Sequence, residues 1–217
     1  NIPGLGSVLG SITLPGNDTV PSVARFAGIP YAKPPVGELR WAPPVEHEAY
    51  TKQLDGTNLG SKCYQPAPGD GQSEDCLFLN GEGKWIARSC KWTFVSHCSL
   101  PLVYAPVDAL SSGKKLPVMF WIHGGAYTSG ASNDYDGDGL VAGSAGGVVV
   151  VTINYRLNVF GFLGSKELAS TTLDKSCGNF GIQDQRLAMK WVSEHIGAFG
   201  GNSEDVLIFG ESAGGNR

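Results

Sequence analysis

The last apolar run of the chain, with the turn that ends it, constrains the fold more than anything before it. Val206-Leu207-Ile208-Phe209 has the length and unbroken apolar character of a buried central strand in a parallel sheet, and it runs into Gly210-Glu211-Ser212-Ala213-Gly214. The pentapeptide fits Gly-x-Ser-x-Gly, a strand-to-helix turn too tight for side chains flanking the serine. The serine backbone is strained there, so its hydroxyl stands clear. A serine hydroxyl is a weak nucleophile until a base takes its proton, so a catalytic Ser212 calls for a histidine within hydrogen-bond reach. In a chain with 31 glycines the same five residues also read as an ordinary turn. The rest of the sequence decides.

Two further apolar runs read as strands. Residues 116–123 lead into Gly124-Gly125-Ala126, and residues 147–154 contain four consecutive valines. Residues 181–199 form the clearest helix, with Ala188, Trp191, Val192, His195, Ile196 and Phe199 on one face and Gly200-Gly201 at its end. A histidine on such a face reads as packed and structural. The order strand, loop, strand, helix, strand, turn predicts an α/β sheet with its chemistry at the carboxyl ends of the strands. Residues 6–27 read as small antiparallel strands around a turn at Pro15-Gly16-Asn17-Asp18. The prolines of residues 26–35 exclude a helix and predict a rigid coil laid over the surface. Residues 104–112 and 127–139 read as loops.

The 217 residues suit one globular domain or part of a larger one. The net charge of −4, with no basic stripe, argues against nucleic acid or an anionic membrane as partner. No apolar run approaches the roughly 20 residues that span a bilayer. The first residue is Asn1, which suggests a removed signal peptide or a fragment. Cys63 and Cys76 bracket a polar loop. Paired, they would stabilise the fold by about 2–4 kcal/mol and point to the secretory pathway; unpaired, they would be thiols of a cytosolic protein. Asn17-Asp18-Thr19 is a glycosylation sequon. No Cys/His spacing suggests a metal, and no cofactor is called for.

Two glycine features converge on one chemistry. Acyl transfer needs backbone N–H donors aimed at the oxyanion that develops on a carbonyl. In an α/β-hydrolase they come from the residue after the nucleophile and from a glycine loop after an earlier strand. Here those residues would be Ala213, Gly124 and Gly125.

At this point the sequence resembles the type-B carboxylesterase family, which includes cholinesterases and several lipases. The resemblance runs almost end to end. It rests on Phe26-Ala27-Gly28-Ile29-Pro30-Tyr31-Ala32, Ser73-Glu74-Asp75-Cys76-Leu77, Trp121-Ile122-His123-Gly124-Gly125, Asn154-Tyr155-Arg156, residues 178–186 and Gly210-Glu211-Ser212-Ala213-Gly214. It implies the N-terminal part of an α/β-hydrolase fold, with a central, mostly parallel sheet and small N-terminal antiparallel strands. It implies Ser212 as nucleophile, Gly124, Gly125 and Ala213 as the oxyanion hole, and Cys63–Cys76 as a disulfide. Arg40 with Glu74 and Arg156 with Asp184 would brace the fold as ion pairs; as solvated surface charges each pair would be worth little. His123 belongs to the oxyanion motif and is not the catalytic base.

Three departures from that family shape the expectations. The chain ends at Arg217, whereas the acid and the histidine of the family's triad come later. His47, His97, His123 and His195 do not match the base, so residues 1–217 are expected to be an incomplete domain that turns over esters poorly. Residues 81–102 hold two tryptophans and two cysteines with no clean period, and removing them joins Leu79-Asn80 to Val103-Tyr104 in family pattern. They are expected to be an atypical insertion from a retained intron or another gene-model error. The Cys63–Cys76 loop holds Tyr64 but no tryptophan, which points away from choline esters. The resulting expectation is a secreted serine hydrolase of small-molecule or lipid carboxylic esters; the oligomeric state is not legible. The alternative is a non-catalytic cholinesterase-like adhesion or binding module.

Overall fold

A computed structural model describes residues 1–14, 21–66, 71–79, 103–171, 175 and 177–216. Asn17 with its turn, Cys90, Cys98 and the whole of residues 80–102 lie outside the described residues.

Short strands open the chain: β1 Val8–Leu9, β2 Ser11–Thr13, β3 Val23–Phe26, β4 Ile29–Pro30, β5 Leu54–Asp55, β6 Lys62–Cys63, β7 Gln72–Ser73 and β8 Phe78–Leu79. The larger elements follow: β9 Val103–Pro106, α1 Ala109–Ser112, β10 Leu116–Ile122, α2 Asp138–Gly143, β11 Val149–Ile153, α3 Asn158–Phe162, α4 Lys166–Thr171, α5 Phe180–His195 and β12 Gly201–Gly210. Six of the strands form one sheet in the order β12-β10-β11-β9-β3-β2. β12, β10 and β11 run parallel, and β9, β3 and β2 continue the sheet antiparallel.

Burial explains why the valine run is a strand. Every residue of β11 is buried, so neither face needs a polar side chain. β10 is buried at Val118, Phe120 and Ile122. These share the main core with Ala188, Trp191 and Val192 of α5 and with Ile196 and Phe199 of the 3₁₀ turn after it. Gly201 marks a close approach: a Cβ there would lie 2.6 Å from Ile196 and 2.9 Å from Val118. The predicted helix is thus α from Phe180 to His195 and 3₁₀ from Ile196 to Phe199, where Gly200 (φ +79°) stops it.

Three sequence expectations need correction. Residues 104–112 are not a loop: β9 lies between β3 and β11, and α1 follows it. Pairing on both sides overrides the weak local propensity of a strand that ends in Pro106. The proline-rich segment is extended as expected, yet Ala27, Ile29, Tyr31 and Ala32 are at most 2% exposed, so it enters the core and is not merely laid over the surface. The Tyr31 hydroxyl is anchored there on the Asn154 carbonyl at 2.7 Å. Finally, β12 is longer than its apolar centre and is the edge strand among the described residues. Leu207 is 57% exposed and Ile208 49%, because no described strand covers that side.

The β4–β8 pair is a separate two-stranded sheet that adjoins the main one. β8 is antiparallel to β4, and the Asn154 N–H just beyond β11 donates to the Phe78 carbonyl at 3.1 Å.

Candidate active site

β10 and β12 pair with Ile122 opposite Gly210, so both strands end at one level. The chain segments leaving them, 123–126 and 211–213, therefore emerge side by side. Steric demands fix the turn after β12. A Cβ on Gly210 would collide with the Gly214 carbonyl, and one on Gly214 would collide with the Ile122 carbonyl. Ser212 has φ +52°, a left-handed conformation that costs a non-glycine residue strain. It is exposed, and a 3₁₀ turn starts at it, with Gly214 N–H donating to Glu211 O at 2.8 Å and Gly215 N–H to Ser212 O at 3.0 Å.

The two glycine features, 88 positions apart in sequence, meet here. A Cβ built on Gly124 would lie 3.1 Å from the Ser212 Cβ and 2.6 Å from the Glu211 carbonyl oxygen, and would collide with the Glu211 carboxylate. Only glycine fits at 124.

The carbonyls of the glycine turn are each held from behind. The Tyr155 hydroxyl donates to His123 O at 2.8 Å. His123 Nδ1 lies 2.8 Å from Gly124 O; a carbonyl only accepts, so that nitrogen carries the proton. Gly125 O accepts from the N–H groups of Thr128 and Ser129 at 2.9 and 3.0 Å and from their hydroxyls at 3.1 and 3.3 Å. A trans peptide sets its N–H opposite its C=O. Pinning these three carbonyls therefore aims the N–H groups of Gly124, Gly125 and Ala126 the other way. None of the three N–H groups makes a hydrogen bond among the described residues. Gly125 (φ +99°) and Ala126 (φ +54°) both have left-handed backbones. Sequence reasoning missed the Ala126 N–H, which is aimed the same way as those of Gly124 and Gly125; only its place directly after Gly125 could have marked it.

The ionisable groups nearby are few. Glu211 stands beside Gly124. Burial pushes the Tyr135 phenol up, and the charges of Glu211 and Asp134 push it further. Buried His123 stacks on Tyr155 at 4.4 Å between ring centres and is committed to Gly124. His47 and His195 line a different pocket, with Glu46, Lys190 and Glu194; His97 is outside the described residues. Among the described residues, no hydrogen-bond partner reaches the Ser212 hydroxyl, and no three His, Cys, Asp or Glu side chains are grouped to hold a metal.

Cys63 and Cys76 form a disulfide with Cα atoms 5.0 Å apart, and Cys177 is free. Both anticipated ion pairs are present but in different environments. Arg40 grips Glu74 at 2.5 and 2.6 Å, with its own side chain 39% exposed. Arg156 and Asp184 are buried, bonded at 2.7 to 3.2 Å, and the Arg156 backbone N–H adds a contact at 2.9 Å. Tyr64 of the disulfide loop lies 5.7 Å from Phe160, which stacks with Trp41 at 6.4 Å.

Comparison with known proteins gives the family and the fold. The carboxylesterase family model matches residues 1–217. The chain is 41% identical to rabbit (Oryctolagus cuniculus) cocaine esterase over 97% of its own length and 36% of the relative's. It is 43% identical to the para-nitrobenzyl esterase of Bacillus subtilis, over 89% of this chain and 35% of that protein. The crystal structure of Geobacillus stearothermophilus carboxylesterase EST55 at pH 6.8 superposes with a TM-score of 0.72 at 40% identity, covering 95% of this chain and 37% of that one. The Aspergillus niger EstA structure gives a TM-score of 0.74 at 31% identity, covering 95% and 34%. The chain spans about a third of the length of these relatives. Its fold is that of the α/β-hydrolase carboxylesterases, and the chain is a member of the carboxylesterase family.

Proposed function

We propose that Ser212 is the nucleophile of a serine carboxylic ester hydrolase, with the N–H groups of Gly124, Gly125 and Ala213 as its oxyanion hole and Ala126 as a further donor. The observation that carries this reading is the meeting of Gly124 and Ser212 at the ends of two paired parallel strands. Ser212 Oγ attacks the ester carbonyl carbon, and the carbonyl π electrons move onto oxygen among the N–H donors. A base takes the Ser212 hydroxyl proton and passes it to the alcohol as collapse breaks the C–O bond; water then attacks the acyl-enzyme, releasing the carboxylic acid and returning a proton to Ser212 Oγ. One such donor is worth about 2.7–4 kcal/mol of barrier. Efficient turnover needs a base and an acid from outside the described residues, because none of those residues reaches the Ser212 hydroxyl. Small-molecule or lipid esters fit better than choline esters, since the disulfide loop offers Tyr64 and no indole. The Cys63–Cys76 bond supports an oxidising, secretory compartment.

Labelling with a fluorophosphonate tests the proposal. A longer protein that carries this chain together with the base and the acid is expected to label at Ser212, and Ser212→Ala to abolish the label. Labelling elsewhere overturns the assignment of Ser212, and no labelling favours the non-catalytic binding module.

A further inference from the structure

We infer that Gln65 is a positioning residue for the oxyanion turn, which it reaches from the disulfide loop through Gly130. This rests on the reading that the 124–126 turn holds the oxyanion.

Residues 62–65 of the disulfide loop are fastened to the segment that follows the turn. Lys62 pairs with Asp134 at 2.7 Å. Asn158 Nδ2 donates to Tyr64 O at 3.1 Å and to Thr128 O at 2.8 Å, bridging the two segments. Gln65 alone among these reaches the residue that folds the segment back onto its start. Its Oε1 accepts from Gly130 N–H at 3.1 Å, and its Nε2 donates to Gly130 O at 3.2 Å. The second Nε2 hydrogen goes to Cys63 O at 3.2 Å, and the Gln65 backbone N–H is held by Gln72 Oε1 at 3.1 Å. One side-chain amide thus bonds both backbone groups of Gly130 while tied to a disulfide cysteine.

Gly130 sits where a displacement would be felt. It has φ +101°, and a Cβ on it would lie 2.6 Å from His123 Nδ1 and 2.7 Å from Gly124 O. Those two atoms form the hydrogen bond that orients the peptide carrying the Gly125 N–H. The chain of contact therefore runs from Gln65 to Gly130, to the His123–Gly124 bond, to a proposed oxyanion donor. Gln65 touches no reacting atom. It holds a loop segment against the back of the turn, at a half-buried site where water would take its place without the fold collapsing.

Hydrogen exchange on the purified protein reads this directly. In Gln65→Ala, the hydrogen-bonded amides of Thr128 and Ser129, which close the turn on Gly125 O, are expected to exchange about tenfold faster, the effect of losing one to two hydrogen bonds from a local opening. β10 and β11 are expected to exchange as in the wild type. Gln65→Glu keeps an acceptor for Gly130 N–H but loses both donors, and should fall between the two. Unchanged exchange at Thr128 and Ser129 overturns the proposal. So does an equal acceleration throughout the sheet, which would make Gln65 a general stabiliser. In the fluorophosphonate reaction, Gln65→Ala should slow the bond-forming step with little change in probe affinity. If the wild type does not label, the hydrolase reading fails, while the exchange comparison still decides the role of Gln65.

Discussion

The backbone N–H of Asn154 meets the carbonyl oxygen of Phe78 at 3.1 Å, and that bond fixes a register. Along the same strand, Val150 faces Tyr104 and Val151 faces Val103. In an antiparallel ladder each step forward on one strand is a step back on the other, so the residue due opposite Asn154 is number 100. Phe78 stands there, 22 positions early, and residues 81–102 number 22. β8 and β9 thus occupy the places of a single continuous strand. On the other side, Leu79 faces Ile29 and Val103 faces Phe26, a difference of one residue that falls between Phe26 and Ile29, where Gly28 has φ +54°.

A chain lacking residues 81–102 is therefore expected to fold with the same sheet and greater stability. Closing a 22-residue loop costs about 3 kcal/mol of chain entropy, and its removal should raise the melting temperature by several degrees. A deletion that melts lower or aggregates would count against the insertion. Mature transcripts should mostly lack the segment; reads through it in most of them would do the same.

The buried Arg156–Asp184 pair should be far more sensitive than the exposed Arg40–Glu74 pair. Arg156→Met leaves a fully buried carboxyl without its partner, a loss of about 3–5 kcal/mol. Arg156→Met with Asp184→Leu should recover much of it. Burial already pushes the Asp184 carboxyl up, while the Arg156 charge and hydrogen bonds pull it back. Without Arg156 the folded state favours the protonated acid, and its stability falls as pH rises past the unfolded carboxyl value. Denaturant melts should show the single variant less impaired near about pH 4 than at about pH 7. Equal losses at both would mean that the carboxylate finds another cation. Arg40→Met should cost little, as exposed pairs do.

What the sequence made legible were features with a local cause. β11 is a valine run because both faces are buried, and the Ser212 turn is recognisable because Gly210 and Gly214 leave no room for side chains. Where neighbours decide, the sequence was silent. Tyr104 and Pro106 belong to a strand only because β3 and β11 flank them. Leu207 and Ile208 look as buried as the valines until their position at the sheet edge is known. The left-handed backbone of Ala126 leaves no mark in its identity, and a glutamine in a polar loop, as at Gln65, carries no sign of the backbone it holds.

His195 is expected to affect stability and not catalysis. It packs 5.3 Å from the Trp191 ring and faces Glu194, Lys190, Glu46 and His47 in its pocket; burial holds it below the ordinary imidazole value, Glu194 and Glu46 oppose that shift, and Lys190 adds to it. The unfolded chain binds the proton more readily. The stability due to neutral His195 is thus full above about pH 6.5 and lost as pH falls toward the folded-state value. Chemical denaturation from about pH 7.5 to about 5.5 should show the wild type losing more than His195→Gln. Identical slopes would remove His195 from the titration, and a loss of Ser212 labelling in the variant would contradict its structural role.

Gly124→Ala is the most direct probe of the site. Its methyl group would collide with the Glu211 carboxylate, which can swing aside, but it would also lie 2.6 Å from the Glu211 backbone oxygen and 3.1 Å from the Ser212 Cβ. Relief requires the two turns to separate, because Ser212 is already strained and Gly214 is packed against Ile122. A widened gap takes N–H donors out of reach of a carbonyl bonded to Ser212, so phosphonylation should fall by about 10² to 10³. The fold should survive, since overpacking of this kind costs about 1–3 kcal/mol. Gly139→Ala in α2, where an added Cβ meets nothing within 4 Å, serves as the control and should label as the wild type does. A folded Gly124→Ala protein that labels at the wild-type rate would show that the glycine turn and the serine turn do not grip one carbonyl together.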